Sequence, residues 1–368
     1  MWSIVRGRGK APGAAFGALL TAVLFVGTLP GSAAAATSNL AIYLPAVGGN
    51  CIYLTAPPNK TISLTWKDAS GTVKEMKSIP SGVGDPAYCS SKNVIALGDK
   101  IKVRYGSHSH KLIVPYVTVG VNRITNVIKG TGPAGTRLRI ECGGSPFGQF
   151  EPCQWTKAVT ISSQGKWSAR VPFDLFGGWT MSAKWHNAYG DEVYYETTVP
   201  YFAVYLGKAR FEGVTTPLDS ATVTVADSTM TPKGSGSAAS GPRVGSFAGK
   251  LRDAGGQLVT VAPGDFVSSS VSKDASFFVP QISATATAGD DHVWGQCELT
   301  SSYNGVFVEL YRNGRLLGAA NEGMNDGSFD FNFRHVFPKP VNVMAGDKIL
   351  VKCIQGEGDF AVKVIFAS

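Results

Sequence analysis

Two histidines one residue apart, His108 and His110, have the spacing best suited to metal binding in this chain. Side chains at positions i and i+2 of a strand point to the same face, so both imidazoles could act as ligands together. A zinc site needs three or four protein ligands, and no third ligand can be assigned from the sequence. We therefore expect a solvent-exposed hairpin, with no metal site and no cofactor.

Acidic residues near predicted turns could instead bind calcium. Asp290 and Asp291 are adjacent, and Asp326 and Asp330 flank another turn sequence. Calcium takes about six to eight oxygen ligands, and an EF-hand loop spaces its acidic residues in a fixed order ending in Glu. That order is absent, and Asn/Asp–Gly sequences favour turns. We expect turns, and calcium near Asp290 and Asp291 is left open as the alternative.

Aromatic residues are concentrated in one part of the chain, where they could bind sugars. Four tryptophans fall there: Trp155, Trp167, Trp179 and Trp185. Exposed, coplanar aromatics stack on sugar rings or on an apolar partner, whereas buried ones fill a core. Core packing is the favoured role for most of them. Trp155 and Trp179 stand next to loop signals, so these two are the predicted ligand-binding residues.

Motifs for catalysis are absent. The sequence has no Gly-x-Ser-x-Gly elbow, no His-Glu-x-x-His pair and no phosphate-binding glycine loop followed by a helix. A pair of catalytic carboxylates stays open, because their separation in space cannot be read from sequence. We predict no catalytic residue and no enzyme activity.

Residues 1–36 have the layout of a secretory signal peptide. A basic start with Arg6, Arg8 and Lys10 precedes an apolar run and a stretch of small residues. Cleavage is predicted before Thr37. The apolar run is shorter than the ~20 residues of a membrane-spanning helix, which makes an uncleaved anchor the less favoured alternative. We expect a secreted or cell-surface protein.

The net charge and its distribution indicate which kinds of partner to expect. The formal net charge is +8, and removal of the three basic residues of the leader lowers it to +5. This excess suits anionic cell-wall polymers, although solubility explains it equally well. Basic runs with interleaved aromatics are absent, so nucleic acid is not expected. We expect no transmembrane span in the mature chain, and an extracellular protein or polysaccharide as partner.

Cysteines are present in an even number, all within the mature chain. They are Cys51, Cys89, Cys142, Cys153, Cys297 and Cys353. In an exported chain this indicates disulfides. Metal ligation is disfavoured because no Cys-x-x-Cys and no suitably spaced His is present. Two cysteines fall in each of three predicted modules, so sequential pairing is favoured.

β-Rich segments repeat along the mature chain. Alternating apolar and polar residues between Gly, Asn and Asp turns indicate antiparallel strands, and helical periodicity is absent. Val-Pro recurs at 114–115, 199–200 and 279–280, where proline would end strand pairing. The predicted modules are 37–115, 116–200, 201–280 and 281–368. The third is the most divergent, and its segment 231–242 is predicted to be a flexible loop from its composition.

The repeated motifs are Val-x-Gly, Pro-Ala-Gly-Thr or Asn-Gly-Val before a strand, Asp-Gly-Ser-Phe, and Gly-Asp-Lys-Ile. They resemble the immunoglobulin-like repeats found in tandem on exported bacterial surface proteins. The order Cys297, Tyr311, Cys353 is similar to the Cys–Trp–Cys core of immunoglobulin folds, with Tyr311 at the Trp position. In the first module Trp66 occupies that position. The resemblance implies four small β-sandwiches in tandem and a surface or spacer role without enzyme chemistry.

These features predict an exported, non-enzymatic spacer or adhesin. The alternative is a glycan- or cell-wall-binding protein that uses the aromatics of the second module.

Overall fold

The computed structural model describes residues 40–82, 85–143, 155–241, 245–272, 275–298, 305–323, 326–335, 340–356 and 358–368. The described residues form β-strands, one turn of 3-10 helix at Phe333–His335, and no α-helix. The all-β prediction is therefore confirmed. The predicted signal peptide lies outside the described residues.

The strands fall into four consecutive sets of seven. The first set is β1 (Ala41–Leu44), β2 (Cys51–Thr55), β3 (Thr61–Lys67), β4 (Val73–Pro80), β5 (Ala87–Cys89), β6 (Lys100–Tyr105) and β7 (His108–Ile113). The second set is β8 (Gly120–Asn122), β9 (Val127–Thr131), β10 (Arg137–Cys142), β11 (Thr156–Thr160), β12 (Lys166–Arg170), β13 (Thr180–His186) and β14 (Glu192–Thr198).

The second half of the chain repeats this order. The third set is β15 (Tyr201–Tyr205), β16 (Arg210–Val214), β17 (Ser220–Ala226), β18 (Pro232–Ala239), β19 (Ser246–Lys250), β20 (Phe266–Ser269) and β21 (Ser276–Phe278). The fourth set is β22 (Ile282–Ala286), β23 (His292–Cys297), β24 (Gly305–Arg312), β25 (Arg315–Gly323), β26 (Ser328–Asn332), β27 (Lys348–Gln355) and β28 (Asp359–Phe366).

Every set divides into the same two sheets. The first, second and fifth strands form one group, and the fourth, third, sixth and seventh lie side by side in the other, as in β1-β2-β5 and β4-β3-β6-β7. Two antiparallel sheets of this kind, packed face to face, make an immunoglobulin-like sandwich, a class that includes fibronectin type III domains. Four immunoglobulin-like modules in tandem are thus present, as predicted.

The modules are joined in pairs by continuous sheets. One seven-stranded sheet has the order β11-β10-β13-β14-β1-β2-β5, and the other has the order β25-β24-β27-β28-β15-β16-β19. At each joint the first strand of one module lies parallel to the last strand of the next: β1 beside β14, and β15 beside β28. A fourteen-strand, two-module unit therefore occurs twice.

Hydrophobic packing follows the same pairing. One cluster of buried side chains, from Leu40 to Val199, runs through the first two modules. A second, from Phe202 to Ala367, runs through the last two. Sharing a core suits small modules, since a domain of this size buries a smaller fraction of its surface when it folds alone.

The glycine of the Val-x-Gly motif lies opposite the aromatic residue of the Asp-Gly-Ser-Phe motif, and this pairing explains both motifs. The register places Gly130 opposite Trp167, Gly213 opposite Phe247, and Gly295 opposite Phe329. A Cβ atom at any of these glycines would collide with a carbonyl oxygen, that of Thr118, Tyr201 or Ser283 respectively. The ring on the neighbouring strand covers the space that the glycine leaves. In the first module, Ile52 pairs with Tyr88 instead.

The segment predicted to be a flexible loop is largely a strand. β18, Pro232–Ala239, pairs along its length with β17. A Cβ atom on Gly234 or Gly236 would press against the carbonyl oxygen of Arg252 or Lys250. Its glycines therefore allow backbones to approach closely. Composition alone could not distinguish this role from flexibility.

Disulfides differ between modules. Cys51 and Cys89 lie opposite each other on β2 and β5, within one sheet. Cys297 on β23 and Cys353 on β27 link the two sheets of the fourth module, and both are fully buried. These are two of the three sequential pairs. Cys142 is also disulfide-bonded, while Cys153, its predicted partner, lies outside the described residues.

Tyr311 does not occupy the Trp position of an immunoglobulin core. Trp66 pairs with Ile101, and in the fourth module the corresponding pair is Leu310 with Ile349. Because neighbouring residues of a strand face opposite ways, Tyr311 points to the outer face of its sheet. There its hydroxyl donates to Glu309 at 2.9 Å.

Candidate functional site: the module junctions

A buried aspartate stabilises the turn before the sixth strand in three modules. These residues are Asp99, Asp265 and Asp347, each following a glycine of positive φ. Each carboxylate accepts a backbone hydrogen bond from Ala96, Ala262 or Met344, at 2.9, 2.8 and 2.9 Å. Each also pairs with Lys74, Lys233 or Arg312, at 2.8, 2.6 and 2.8 Å. This arrangement accounts for the Gly-Asp part of the Gly-Asp-Lys-Ile motif.

A second pair of buried aspartates joins modules to each other. Asp191, directly before β14, is fully buried in the first joint. Its carboxylate accepts hydrogen bonds from the backbone N–H of Ile42 at 2.8 Å and from Nδ2 of Asn187 at 2.9 Å. Nε2 of His110 lies 2.8 Å from each carboxylate oxygen. Asp191 of the second module is thus bonded to two strands of the first.

Asp359 occupies the equivalent place in the second joint. Ile42 precedes Tyr43, which pairs with Glu192, and Phe202 precedes Ala203, which pairs with Phe360. The backbone N–H of Phe202 donates to Asp359 at 3.0 Å. The same carboxylate–amide bond therefore recurs wherever two modules share a sheet.

The cation at the second joint comes from the other module pair. Arg123, in the second module, donates through both terminal nitrogens to Asp359 at 3.1 and 3.2 Å. It also donates to the carbonyl oxygen of Pro200 at 3.2 Å. Burial raises the pKa of Asp359 above its ordinary value, and the positive charge of Arg123 acts against that rise. A bidentate pair of this kind fixes orientation as well as charge.

Backbone and aromatic contacts extend this interface between the two pairs. Gly177 and Gly358 approach so closely that a Cβ on either would collide with the other's backbone. Phe176 and Trp179 of the second module belong to one cluster with Phe360 on the outer face of the second seven-stranded sheet. The junction of the pairs is therefore packed as well as charged.

The two histidines considered for metal binding have different surroundings, and each contacts a different residue. His108 is exposed and its ring stacks on Tyr105 at 4.9 Å. His110 is 9% exposed and faces Asp191. The expectation of a solvent-exposed hairpin was wrong for His110, because pairing of the modules covers this side of β7. Among the residues that the structure describes, no three His, Cys, Asp or Glu side chains are grouped closely enough to hold a metal.

Two of the acidic residues considered for calcium binding, Asp291 and Asp326, have structural roles. Asp291 is 1% exposed, pairs with Arg334 and accepts from the backbone N–H of Val343 at 2.9 Å. The Arg334 hydrogen bond holds the pKa of Asp291 below its usual value. Asp326 accepts from the backbone N–H of Ser328 at 2.9 Å, as a turn residue does.

Trp155 and Trp179 both pack against Phe173. Trp155 meets Phe173 at 6.5 Å and 88°, and Phe173 meets Trp179 at 6.0 Å and 73°. Both tryptophans are half-buried, and Nε1 of Trp179 has no hydrogen-bond partner among the described residues. Rings packed edge to face do not form a flat platform for sugars. Trp179 stands where the other three modules have the turn aspartate.

The junction residues were not singled out from the sequence. Asp191 and Asp359 each follow a glycine, as the turn aspartates do. Recurrence of Gly-Asp at the start of the last strand of the second and fourth modules was therefore an available signal. No such signal marks Arg123, because its partner lies far away in the chain.

Neither the known protein-family models nor the curated proteins contain a match to this chain.

Solved structures give distant likenesses. A tetra-tandem repeat from the extending region of a large adhesion protein is 14% identical, with a TM-score of 0.20, covering 89% of this chain and 99% of that chain. A Ca2+-stabilized adhesin with which an Antarctic bacterium binds ice is also 14% identical, with a TM-score of 0.19, covering 88% and 94%. The FN1–FN3 domains of chicken CNTN1 are 9% identical, with a TM-score of 0.20, covering 89% and 98%. At these TM-scores the fold assignment rests on strand topology.

Proposed function

We propose that this chain is an exported, non-enzymatic surface or secreted protein, a spacer or adhesin whose modules work as two stiff pairs. The limits of the four modules are taken as 37–115, 116–200, 201–280 and 281–368, after a signal peptide of 36 residues. The partner would be an extracellular protein or a polysaccharide.

The observation that carries the proposal is the sharing of sheets between modules. A flexible string of modules would have separate sheets joined by linkers. Here β1 lies against β14 and β15 against β28, and each joint contains a buried aspartate bonded across it. Main-chain hydrogen bonds across a joint resist bending, which suits a protein that holds a binding surface away from a cell. The leader layout and the disulfides support export.

In the part of the chain that the structure describes, no helix is long and apolar enough to cross a bilayer. Motifs for catalysis are missing from the sequence, which supports a binding or spacer role over an enzyme.

The proposal is tested by stretching the mature chain, residues 37–368, in single-molecule force spectroscopy. Paired modules that share a sheet and a core should unfold together, giving two main events, one for each pair. Four independent events of similar length would overturn the stiff-pair proposal. Export is tested separately, by fractionating cells that express the chain with and without residues 1–36. Retention of both forms inside the cell would overturn export.

A glycan-binding role for the aromatics of the second module is not favoured, because Trp155 and Trp179 pack edge to face with Phe173. Their predicted role in ligand binding stays a prediction, which binding experiments on variants of the two tryptophans would test.

A further inference from the structure

A cleft of about 830 Å³ lies on the outer face of the second module, between its sheet β12-β9-β8 and Thr216 of the third module. Hydroxyl groups and lysines line it. They include Thr118, Thr131, Ser168, Lys129 and Lys166. Its wall therefore contains many hydrogen-bonding groups, and no carboxylate is among the described residues that line it.

The two lysines lie diagonally across neighbouring strands. Lys129 pairs with Ser168, and Lys166 is two residues before that serine. Diagonal neighbours on a sheet are about 7–8 Å apart, so one anion can approach both ammonium groups. Both side chains are exposed, and neither forms an ion pair with a residue that the structure describes. Two unpaired like charges repel each other, and a bound anion would relieve that repulsion.

The lysine pair is specific to this module. In the fourth module, the register places Trp294 at the position of Lys129 and Ser328 at the position of Lys166. Asp330 stands at the position of Ser168 and pairs with His292 at 2.7 Å. The sandwich fold itself therefore does not require a positive cleft on this face.

Hydroxyl groups beside the lysines suit a polyhydroxylated ligand. Oγ1 of Thr118 and Oγ1 of Thr131 lie 2.9 Å apart on the cleft wall. Threonine and serine hydroxyls both donate and accept hydrogen bonds, as sugar hydroxyls do. Lysine binds carboxylate or phosphate as a compact point charge.

We propose that this cleft binds an acidic polysaccharide, with Lys129 and Lys166 holding one anionic group and the threonine and serine hydroxyls holding neighbouring sugar hydroxyls. This site rests on the proposed surface role and gives it a ligand class. Carboxylate and phosphate are the two sources of charge, and they are distinguished by the choice of polymer.

The test measures binding of residues 37–368 to polygalacturonate, which carries carboxylates, and to phosphomannan, which carries phosphates. Neutral mannan and double-stranded DNA serve as comparison ligands. Lys129→Gln/Lys166→Gln is compared with Lys111→Gln/Lys157→Gln, which removes the same charge from exposed lysines on β7 and β11. Thermal unfolding of both double variants verifies that the fold is intact.

Binding to one of the two acidic polymers should weaken at least roughly tenfold in the cleft variant, since each lysine contributes a charged hydrogen bond. It should change little in the control variant. Equal losses in both variants, or DNA binding as tight as polysaccharide binding, would show general charge attraction and overturn the site. Absence of binding to both acidic polymers would also overturn it, while the stiff-pair proposal would still be judged by the number of unfolding events.

Discussion

Asp191 and Asp359 occupy equivalent positions in the two module pairs. Each accepts a backbone hydrogen bond from the first strand of the neighbouring module, from Ile42 at 2.8 Å and from Phe202 at 3.0 Å. Their side-chain partners differ. His110, from the same pair, faces Asp191, whereas Arg123, from the other pair, holds Asp359. The aspartate–amide hydrogen bond thus joins the two modules within each pair. At Asp359 the same carboxylate also joins the two pairs, through Arg123.

Replacing Asp191 with alanine should destabilise the first pair strongly. The change leaves the buried N–H of Ile42 and the ring of His110 without their acceptor. Unsatisfied buried groups of this kind should lower the free energy of unfolding by about 3 kcal/mol or more. Urea unfolding followed by tryptophan fluorescence measures it.

Glu192→Ala provides the matched control, because Glu192 is the next residue and its side chain is 40% exposed. Its effect should stay within about 0.5 kcal/mol. If the two variants lost the same stability, Asp191 would not be the residue that holds the joint.

Arg123→Met should have a large effect on its own and a smaller one when Asp359 is also changed. Alone, it leaves the buried carboxylate of Asp359 without its cation, which costs about 3–5 kcal/mol. In Arg123→Met/Asp359→Asn that uncompensated charge is gone. A double-mutant cycle on the free energy of unfolding should therefore show strong coupling. Additive effects would contradict the bidentate pair.

The free energy of unfolding should fall at acid pH, and protonation of Asp347 should be one cause. The hydrogen bond from Arg312 lowers the pKa of Asp347 below its value in the unfolded chain. The folded state then binds fewer protons than the unfolded state, so the contribution of Asp347 is complete above the unfolded pKa and is lost as the pH falls through the folded pKa. Unfolding measured between pH 2 and pH 7 should be less dependent on pH in Asp347→Asn. If the stability of Asp347→Asn depended on pH as strongly as that of the unchanged protein, Asp347 would not be a cause of the loss of stability in acid.

Gly130→Ala should destabilise the second module, because the new Cβ collides with the carbonyl oxygen of Thr118 and approaches the ring of Trp167. Overpacking of this kind costs about 1–3 kcal/mol. Gly82→Ala is the control, since nothing lies within 4 Å of its Cβ position, and it should be close to neutral. If Gly130→Ala and Gly82→Ala had equal midpoints of thermal unfolding, the strands around Gly130 would accommodate the added methyl group without loss of stability.

Trp155→Ala/Trp179→Ala should lower stability, because both rings pack on Phe173 in the core of the second module. Truncation of a well-packed Trp costs about 3–5 kcal/mol, and less for a half-buried one. Polysaccharide binding measured below the unfolding midpoint should be unchanged. Loss of binding with unchanged stability would instead restore the aromatic ligand site.

The sequence by itself determined the strand content and the repeated turns, because those properties depend on local periodicity and on turn chemistry, as in the Asp-Gly-Ser-Phe and Gly-Asp-Lys-Ile motifs. The immunoglobulin-like class was indicated by the resemblance of these motifs to known tandem repeats. Local composition was misleading at Pro232–Ala239, because a segment rich in glycine and serine can form either a flexible loop or a strand. This segment is a strand.

Only the tertiary structure decided which modules share sheets and what the buried charges contact. The partners Arg123 and Asp359 are 236 residues apart, and His110 and Asp191 are 81 apart. No local pattern sets such distances. They arise because the main-chain groups at the edges of β1 and β15 need partners, and the last strand of the neighbouring module supplies them.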